Sequence, residues 1–251
     1  RIPLLEIENV TKSFGGTQAV AGCSLSLAGL KITGLIGPNG SGKTTLFNLI
    51  TGLIRPDAGE ISFQGRRIDG GMTHRLASMG LIRTFQLSRV FPRLTVMDNM
   101  LLAPQRQAGE RLRSLLLRFP QVRREEGEHR EKACDLLDML GIIHLQDQFA
   151  GNLSYGQQKL LELGRAVMAE PKLILLDEPT AGINPRLIRT MIDMILKMQA
   201  RGQTFFIIEH NMDVVAELCE HIFVLDHGEK IAAGSPREIQ NDPRVIEAYL
   251  G

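Results

Sequence analysis

Gly37-Pro38-Asn39-Gly40-Ser41-Gly42-Lys43-Thr44 fits G-x-x-x-x-G-K-[ST], the spacing of a phosphate-binding P-loop. An apolar run, Ile32 to Ile36, precedes it and reads as a strand. A helical run, Thr44 to Leu53, follows. Strand, loop and helix in that order supply the motif's structural context. The glycines let successive backbone N–H groups turn inward around phosphate oxygens. The helix start adds unpaired N–H groups and the positive end of a dipole. Lys43 would reach the β- and γ-phosphates of a nucleotide, and the Thr44 hydroxyl would sit on Mg²⁺. A tight glycine turn before a helix is the plainer alternative, and the flanking strand and helix weigh against it.

With 251 residues the chain can form one large α/β domain, or a core and a small subdomain. Lys and Arg number 29 and Asp and Glu 28, a formal net charge of +1, so a globally basic footprint for nucleic acid is absent. No apolar run approaches a membrane span. The N-terminus alternates like a strand and does not read as a signal peptide. Cys23, Cys134 and Cys219 are far apart, without metal spacing, which suits reduced thiols in a cytoplasmic protein. Any membrane role is expected to come through a partner.

Short β-rich runs occupy the first quarter: Leu4–Val10, Ser24–Leu27, Ile32–Ile36 and Glu60–Phe63. From about Leu87 to Met168 the pattern is helical. Within it, Pro104 to Glu131 is rich in Arg and Glu, a solvated surface or a docking one. The last third alternates: strand Leu173–Leu176, helix Pro185–Gln199, strand Thr204–Ile208, helix Met212–Cys219, strands Ile222–Leu225 and Lys230–Ala233. This βαβ rhythm implies a parallel sheet covered on both faces, in which the P-loop strand and the Leu173 strand should lie together.

Leu173-Ile174-Leu175-Leu176-Asp177-Glu178-Pro179 ends a buried strand in two carboxylates. In P-loop ATPases the first, Asp177 here, holds Mg²⁺ through water. The second, Glu178, is placed to accept a proton from the attacking water. Further back, Ser154 and Gln157 have capping-box spacing and open the helix Tyr155–Met168. A capped helix start with Gly156 beside it is also suited to an anion.

Leu153-Ser154-Tyr155-Gly156-Gln157-Gln158 resembles the signature motif of the ABC-transporter ATP-binding family, with Tyr155 where that family commonly has glycine. The resemblance covers essentially the whole chain. It implies an α/β P-loop NTPase core with a mostly parallel sheet, an antiparallel β-subdomain and an inserted α-helical subdomain. Residues 1–86 and 169–251 would form the core, and 87–168 the helical part. It implies ATP and Mg²⁺ as ligands. Phe14 resembles the adenine-stacking aromatic, and Val20, Gly37 to Thr44 and Thr45 would complete the nucleotide contacts. Gln86, in Arg83-Thr84-Phe85-Gln86, resembles the Q-loop glutamine that touches Mg²⁺ or the attacking water. His210 resembles the switch histidine that orients Glu178 and the γ-phosphate. Ser154, Gly156 and Gln157 would meet the ATP held by a second subunit. Ala181-Gly182-Ile183-Asn184-Pro185 occupies the D-loop position, with Asn184 where Asp is usual. Asn184 is also a good N-cap, with Pro185 as the first helical residue.

Within the family the chain looks most like ATP-binding subunits of branched-chain amino acid importers. Urea or amide importers, the lipopolysaccharide-export ATPase and soluble ABC ATPases are the alternatives. The resemblance implies integral-membrane permease subunits as partners, and a second ATPase subunit, self or paralogue, paired head to tail. It implies a solute-binding protein indirectly and no nucleic acid. The expected location is the cytoplasmic face of a bacterial or archaeal inner membrane.

Overall fold

The computed structural model describes residues 2–68, 70, 73–84, 90–104 and 119–250. The chain folds as two compact units. One holds residues 1–83, 172–180 and 195–251, the other 84–171 and 181–194.

The first unit carries strands β1 (Leu5–Phe14), β2 (Thr17–Ser26), β3 (Ile32–Ile36), β4 (Ala58–Phe63), β5 (Arg66–Arg67), β6 (Leu81–Arg83), β7 (Leu173–Asp177), β8 (Thr204–Ile208), β9 (His221–Asp226) and β10 (Glu229–Gly234). One sheet, ordered β2-β1-β4-β5, is antiparallel. The other is ordered β10-β9-β3-β8-β7-β6 and is parallel except for the β9–β10 hairpin. Strands β3, β7 and β8 are buried along their whole length, which explains their mostly apolar sequences. A continuous core joins Leu35, Leu175, Phe206 and Ile208 of this sheet to Leu5, Ile7, Ile61 and Phe63 of the other. The P-loop helix, Lys43–Ile50, puts Phe47 into that core, its ring centroid 5.2 Å from that of Phe206.

The P-loop strand and the Leu173 strand lie in this one sheet, as expected, with β8 between them. Neighbour order in a parallel sheet is decided by how the crossovers pack, which local sequence does not encode. Strand β2 starts at Thr17, well before Ser24. Register shifts between Ile7 and Ser13 break the alternation on which a sequence reading relies. Two C-terminal helices, Pro236–Gln240 and Pro243–Leu250, were not foreseen either. Ser235 and Glu238 form a reciprocal capping box at the first, a spacing that was visible in the sequence.

The second unit is helical, as its sequence predicts, with helices Val96–Leu101, Phe119–Met139 and Tyr155–Met168. Thr95 caps the first by accepting the Asp98 N–H at 3.0 Å. Asn99 is fully buried but satisfied: it accepts the Phe91 N–H and donates to the Phe91 and Thr95 carbonyls. Leu136, Leu137, Leu140, Leu160, Leu161 and Leu163 are buried. Residues 105–118 of the Arg/Glu-rich stretch lie outside the described residues. No helix among the described residues is long and apolar enough to cross a membrane.

Candidate active site

The P-loop is shaped by backbone that only glycine tolerates. Gly37 has φ 148° and Gly42 φ 100°. A Cβ on Gly37 would lie 2.0 Å from the Leu225 carbonyl oxygen, and one on Gly42 2.3 Å from that of Ala19. Gly42 is the N-cap of the P-loop helix and offers no side-chain cap. The first helical bond runs from the Leu46 N–H to the Gly42 carbonyl, at 2.8 Å. The N–H groups of Lys43, Thr44 and Thr45 therefore have no partner within the helix ladder, the arrangement that receives an anion. Asn39, Gly40 and Thr44 are exposed, Pro38 and Thr45 partly so, and Ser41 is buried.

Lys43 is 5% exposed. Its ammonium donates to the carbonyls of Gly37 (2.9 Å) and Pro38 (2.8 Å) and to the Ser41 hydroxyl (3.3 Å). Burial lowers its pKa, and the nearby Glu178 and Asp177 charges pull it back up. The lysine thus folds over its own loop, at the place where phosphate oxygens are expected.

Sheet register assembles the rest. Leu35 of β3 pairs with Ile208 of β8, and Ile208 pairs with Asp177 of β7. The three strands therefore end level, and the residues that follow them share one carboxyl edge, where open α/β sheets bind ligands. The interposed β8 brings His210 to the same edge as the P-loop and the carboxylates. His210 Nε2 lies 2.8 Å from Glu178 Oε1. Glu178 itself has φ 49°, an uncommon left-handed backbone for a non-glycine residue, while its N–H still bonds the Ile208 carbonyl at 2.9 Å. Thr180 donates its hydroxyl to Glu209, so the residue preceding His210 is also tied to the segment that follows β7.

Sequence reasoning missed one strong contact. Arg83, at the end of β6, donates from Nη2 to Asp177 Oδ2 at 2.6 Å, and the two side chains are 7% and 3% exposed. An arginine directly after the short apolar run Leu81-Ile82 was the signal that could have revealed it. Gln86, assigned to Mg²⁺ or the water, lies outside the described residues, as does Phe85.

The donor set suits Mg²⁺. Thr44 and Asp177 offer one hydroxyl and one carboxylate, and no cluster of three His, Cys, Asp or Glu is found among the described residues. Mg²⁺ is commonly held in this way, by one or two carboxylates with waters and substrate phosphates and no all-protein cage.

Phe14 ends β1, is 49% exposed, and has the Lys12 ammonium 5.6 Å from its ring centroid. Asp57 anchors this hairpin, bonding the Lys12 ammonium at 2.6 Å and the Ser13 N–H at 2.8 Å. An exposed ring on a pinned hairpin is suited to stacking and is not a core residue. Val20 is different. It is fully buried in the hydrophobic core, so its side chain packs the fold and is not presented to a ligand.

In the second unit Ser154 and Gln157 form the expected capping box. Ser154 Oγ accepts the Gln157 N–H, and Gln157 Oε1 accepts the Ser154 N–H at 2.9 Å. Gly156 is buried, and a Cβ there would meet Leu187 Cδ1 at 2.4 Å and Ile183 Cγ2 at 3.2 Å. Its small size is thus used for packing within the chain. Lys159, also buried, donates to the Ala181 carbonyl at 2.8 Å and lies 5.2 Å from the Tyr155 ring centroid. Asn184 accepts the Leu187 N–H at 3.0 Å, the N-cap role read from its sequence.

Residues 20–181 match the family described as ABC transporter, and residues 229–251 match branched-chain amino acid ATP-binding cassette transporter. The chain is 39% identical over 250 residues to the high-affinity branched-chain amino acid transport ATP-binding protein LivG of Salmonella typhimurium, covering 99% of this chain and 98% of that protein. It is 38% identical over 250 residues to the corresponding protein BraF of Pseudomonas aeruginosa, covering 99% and 98%. Among solved structures, a nucleotide-free ATP-binding cassette from an ABC transporter superposes with a TM-score of 0.82 at 39% identity, covering 99% of each chain. An ATP-binding cassette in its ADP conformation gives 0.81 at 37% identity over all of both chains.

Proposed function

The chain belongs to the ABC transporter ATP-binding family, and from that premise we propose that it is the ATP-hydrolysing subunit of an importer for branched-chain amino acids. The carrying observation is the shared carboxyl edge of β3, β8 and β7. It gathers a P-loop lysine, a buried carboxylate and a carboxylate–imidazole pair. The C-terminal match at residues 229–251 and the curated relatives favour this importer branch over urea import, lipopolysaccharide export or a soluble ATPase.

In this reading ATP lies along the P-loop with its adenine on Phe14. The Lys43 ammonium exchanges the carbonyls of Gly37 and Pro38 for phosphate oxygens, and the first-turn N–H groups complete the cradle. Thr44 and Asp177 would hold Mg²⁺, which when bound neutralises charge on the β- and γ-phosphates. Glu178 takes the proton of the attacking water. His210, hydrogen-bonded to Glu178 Oε1, fixes that carboxylate's orientation. Phosphoryl transfer needs positioning and charge stabilisation more than covalent chemistry, and this edge supplies both. Gln86 is proposed beside the same metal and water.

One chain presents a phosphate cradle and a separate capped helix start. Two chains, or this chain and a paralogue, would pair head to tail so that Ser154, Gly156 and Gln157 close the partner's site. Permease subunits in the membrane would carry the solute, delivered by a solute-binding protein, with this chain peripheral on the cytoplasmic face. Co-purification of the tagged chain from its native membranes tests this. Multi-spanning proteins and a second ATPase of similar size are expected. Soluble partners alone would overturn the transport reading and leave the ATPase chemistry standing.

A further inference from the structure

Arg83 bridges two parts of the active site that the sequence holds far apart. Its Nη2 donates to Asp177 Oδ2 and its Nη1 to Asn48 Oδ1, each at 2.6 Å. Asn48 lies on the P-loop helix and Asp177 ends β7. The guanidinium carbon sits 5.6 Å from the centroid of Phe47, so an aromatic ring also flanks the fork. The placement follows from register. Arg83 pairs with Leu175, and Leu175 and Asp177 point to the same face of the sheet, so the arginine needs only to lean along its neighbour to reach the carboxylate.

A planar guanidinium holds two acceptors at a fixed separation, which an ammonium cannot do. We infer that Arg83 is a positioning residue for the metal site: it pins Asp177 Oδ2 to the P-loop helix through Asn48, and so fixes Oδ1 as the oxygen offered to metal-bound water. The inference rests on the proposed role of Asp177. With Oδ2 occupied by Arg83, Asp177 presents a single oxygen and part of its charge is already compensated, which suits contact through water over direct two-oxygen ligation. Without the fork the buried carboxylate loses its orientation and its hydrogen-bonded counter-charge together, and the nearby Lys43 charge remains.

The test is the tightening of AMP-PNP binding by Mg²⁺, measured by calorimetry in excess EDTA and in saturating MgCl₂, with circular dichroism to confirm folding. In Arg83→Met, affinity without metal should stay within about threefold of the parent, and the Mg²⁺-dependent tightening should fall about tenfold, the size of one charge-assisted hydrogen bond. Arg83→Lys should keep the fold but recover little of the tightening, since it cannot bridge both acceptors. Asn48→Ala, which frees only the far anchor, should lose about threefold. Parent-like Mg²⁺ dependence in folded Arg83→Met overturns the inference. If that variant does not fold, parent-like dependence in both Arg83→Lys and Asn48→Ala overturns it equally. Asp177→Asn separates the two levels. If it too leaves the Mg²⁺ dependence unchanged, the metal role of Asp177 itself fails. If it abolishes the tightening while the Arg83 and Asn48 variants do not alter it, only the positioning role fails.

Discussion

At the edge of β3, β8 and β7 the polar side chains hold one another across the sheet: Arg83 to Asp177, His210 to Glu178, Thr180 to Glu209. In the Ser154–Lys159 segment they hold the backbone of their own unit: Ser154 and Gln157 cap a helix, and Lys159 bonds the Ala181 carbonyl. The first region is long-range in sequence and largely buried. The second joins a local cap to one longer reach, from Lys159 to Ala181, and Ser154 and Tyr155 at its tip are exposed. The contrast suggests a division of labour. In the proposed reading the sheet edge is preorganised for chemistry within one chain, while the capped helix is the surface that meets a second subunit.

If so, damage to the sheet edge should remove chemistry from the chain, and damage to the capped helix should not. The largest effect is expected for Glu178→Gln. Loss of the general base should lower phosphate release by roughly 10²–10⁴-fold, while ATP still binds and holds a dimer visible by size exclusion. Normal turnover would remove Glu178 from the base role. Next comes Lys43→Ala, which deletes a charge-assisted contact to phosphate. Nucleotide affinity should drop by about 1.5–3 kcal/mol, read by equilibrium binding; unchanged affinity would sink the P-loop assignment.

On the other side of the comparison, Ser154→Ala should cost about 1 kcal/mol of stability in urea unfolding, as N-cap losses do, and leave nucleotide affinity of the single chain unaltered. A large fall in that affinity would erase the distinction between the regions. The smallest effect belongs to the surface of the helical unit. The hydrogen bond and charge of Lys132 hold the Glu170 carboxyl below its usual range. Its folded pKa lies below the unfolded one, so the pair stabilises at pH above the unfolded value and that gain is lost as pH falls through the folded value. The Glu170 side chain is 78% exposed, so about 0.5 kcal/mol or less is at stake. Lys132→Met should flatten that acid-side slope in a denaturation series, and an unchanged slope would assign it to other carboxylates.

The same contrast governs what could be read in advance. Residues whose geometry is set by near neighbours were legible. The Ser154–Gln157 capping box, the Asn184 cap and the helix Tyr155–Met168 stand where their spacing put them. Glu178 and His210 were legible as residue types following strands, while their pairing was expected only through the family resemblance. Arg83 went unread because its meaning depends on which strand lies beside β7. Val20 shows the opposite error, since proximity in sequence to a site does not expose a side chain to it.

By itself, then, the sequence determined the phosphate loop, the helix starts and the fully buried strands, because glycine stereochemistry, capping spacing and hydrophobic runs act over a few residues. Only the tertiary structure decided that β8 separates β3 from β7, that His210 therefore faces Glu178, and that Arg83 reaches both Asp177 and Asn48. Strand order and register are chosen by packing across the whole sheet, and no local stretch of chain carries that information.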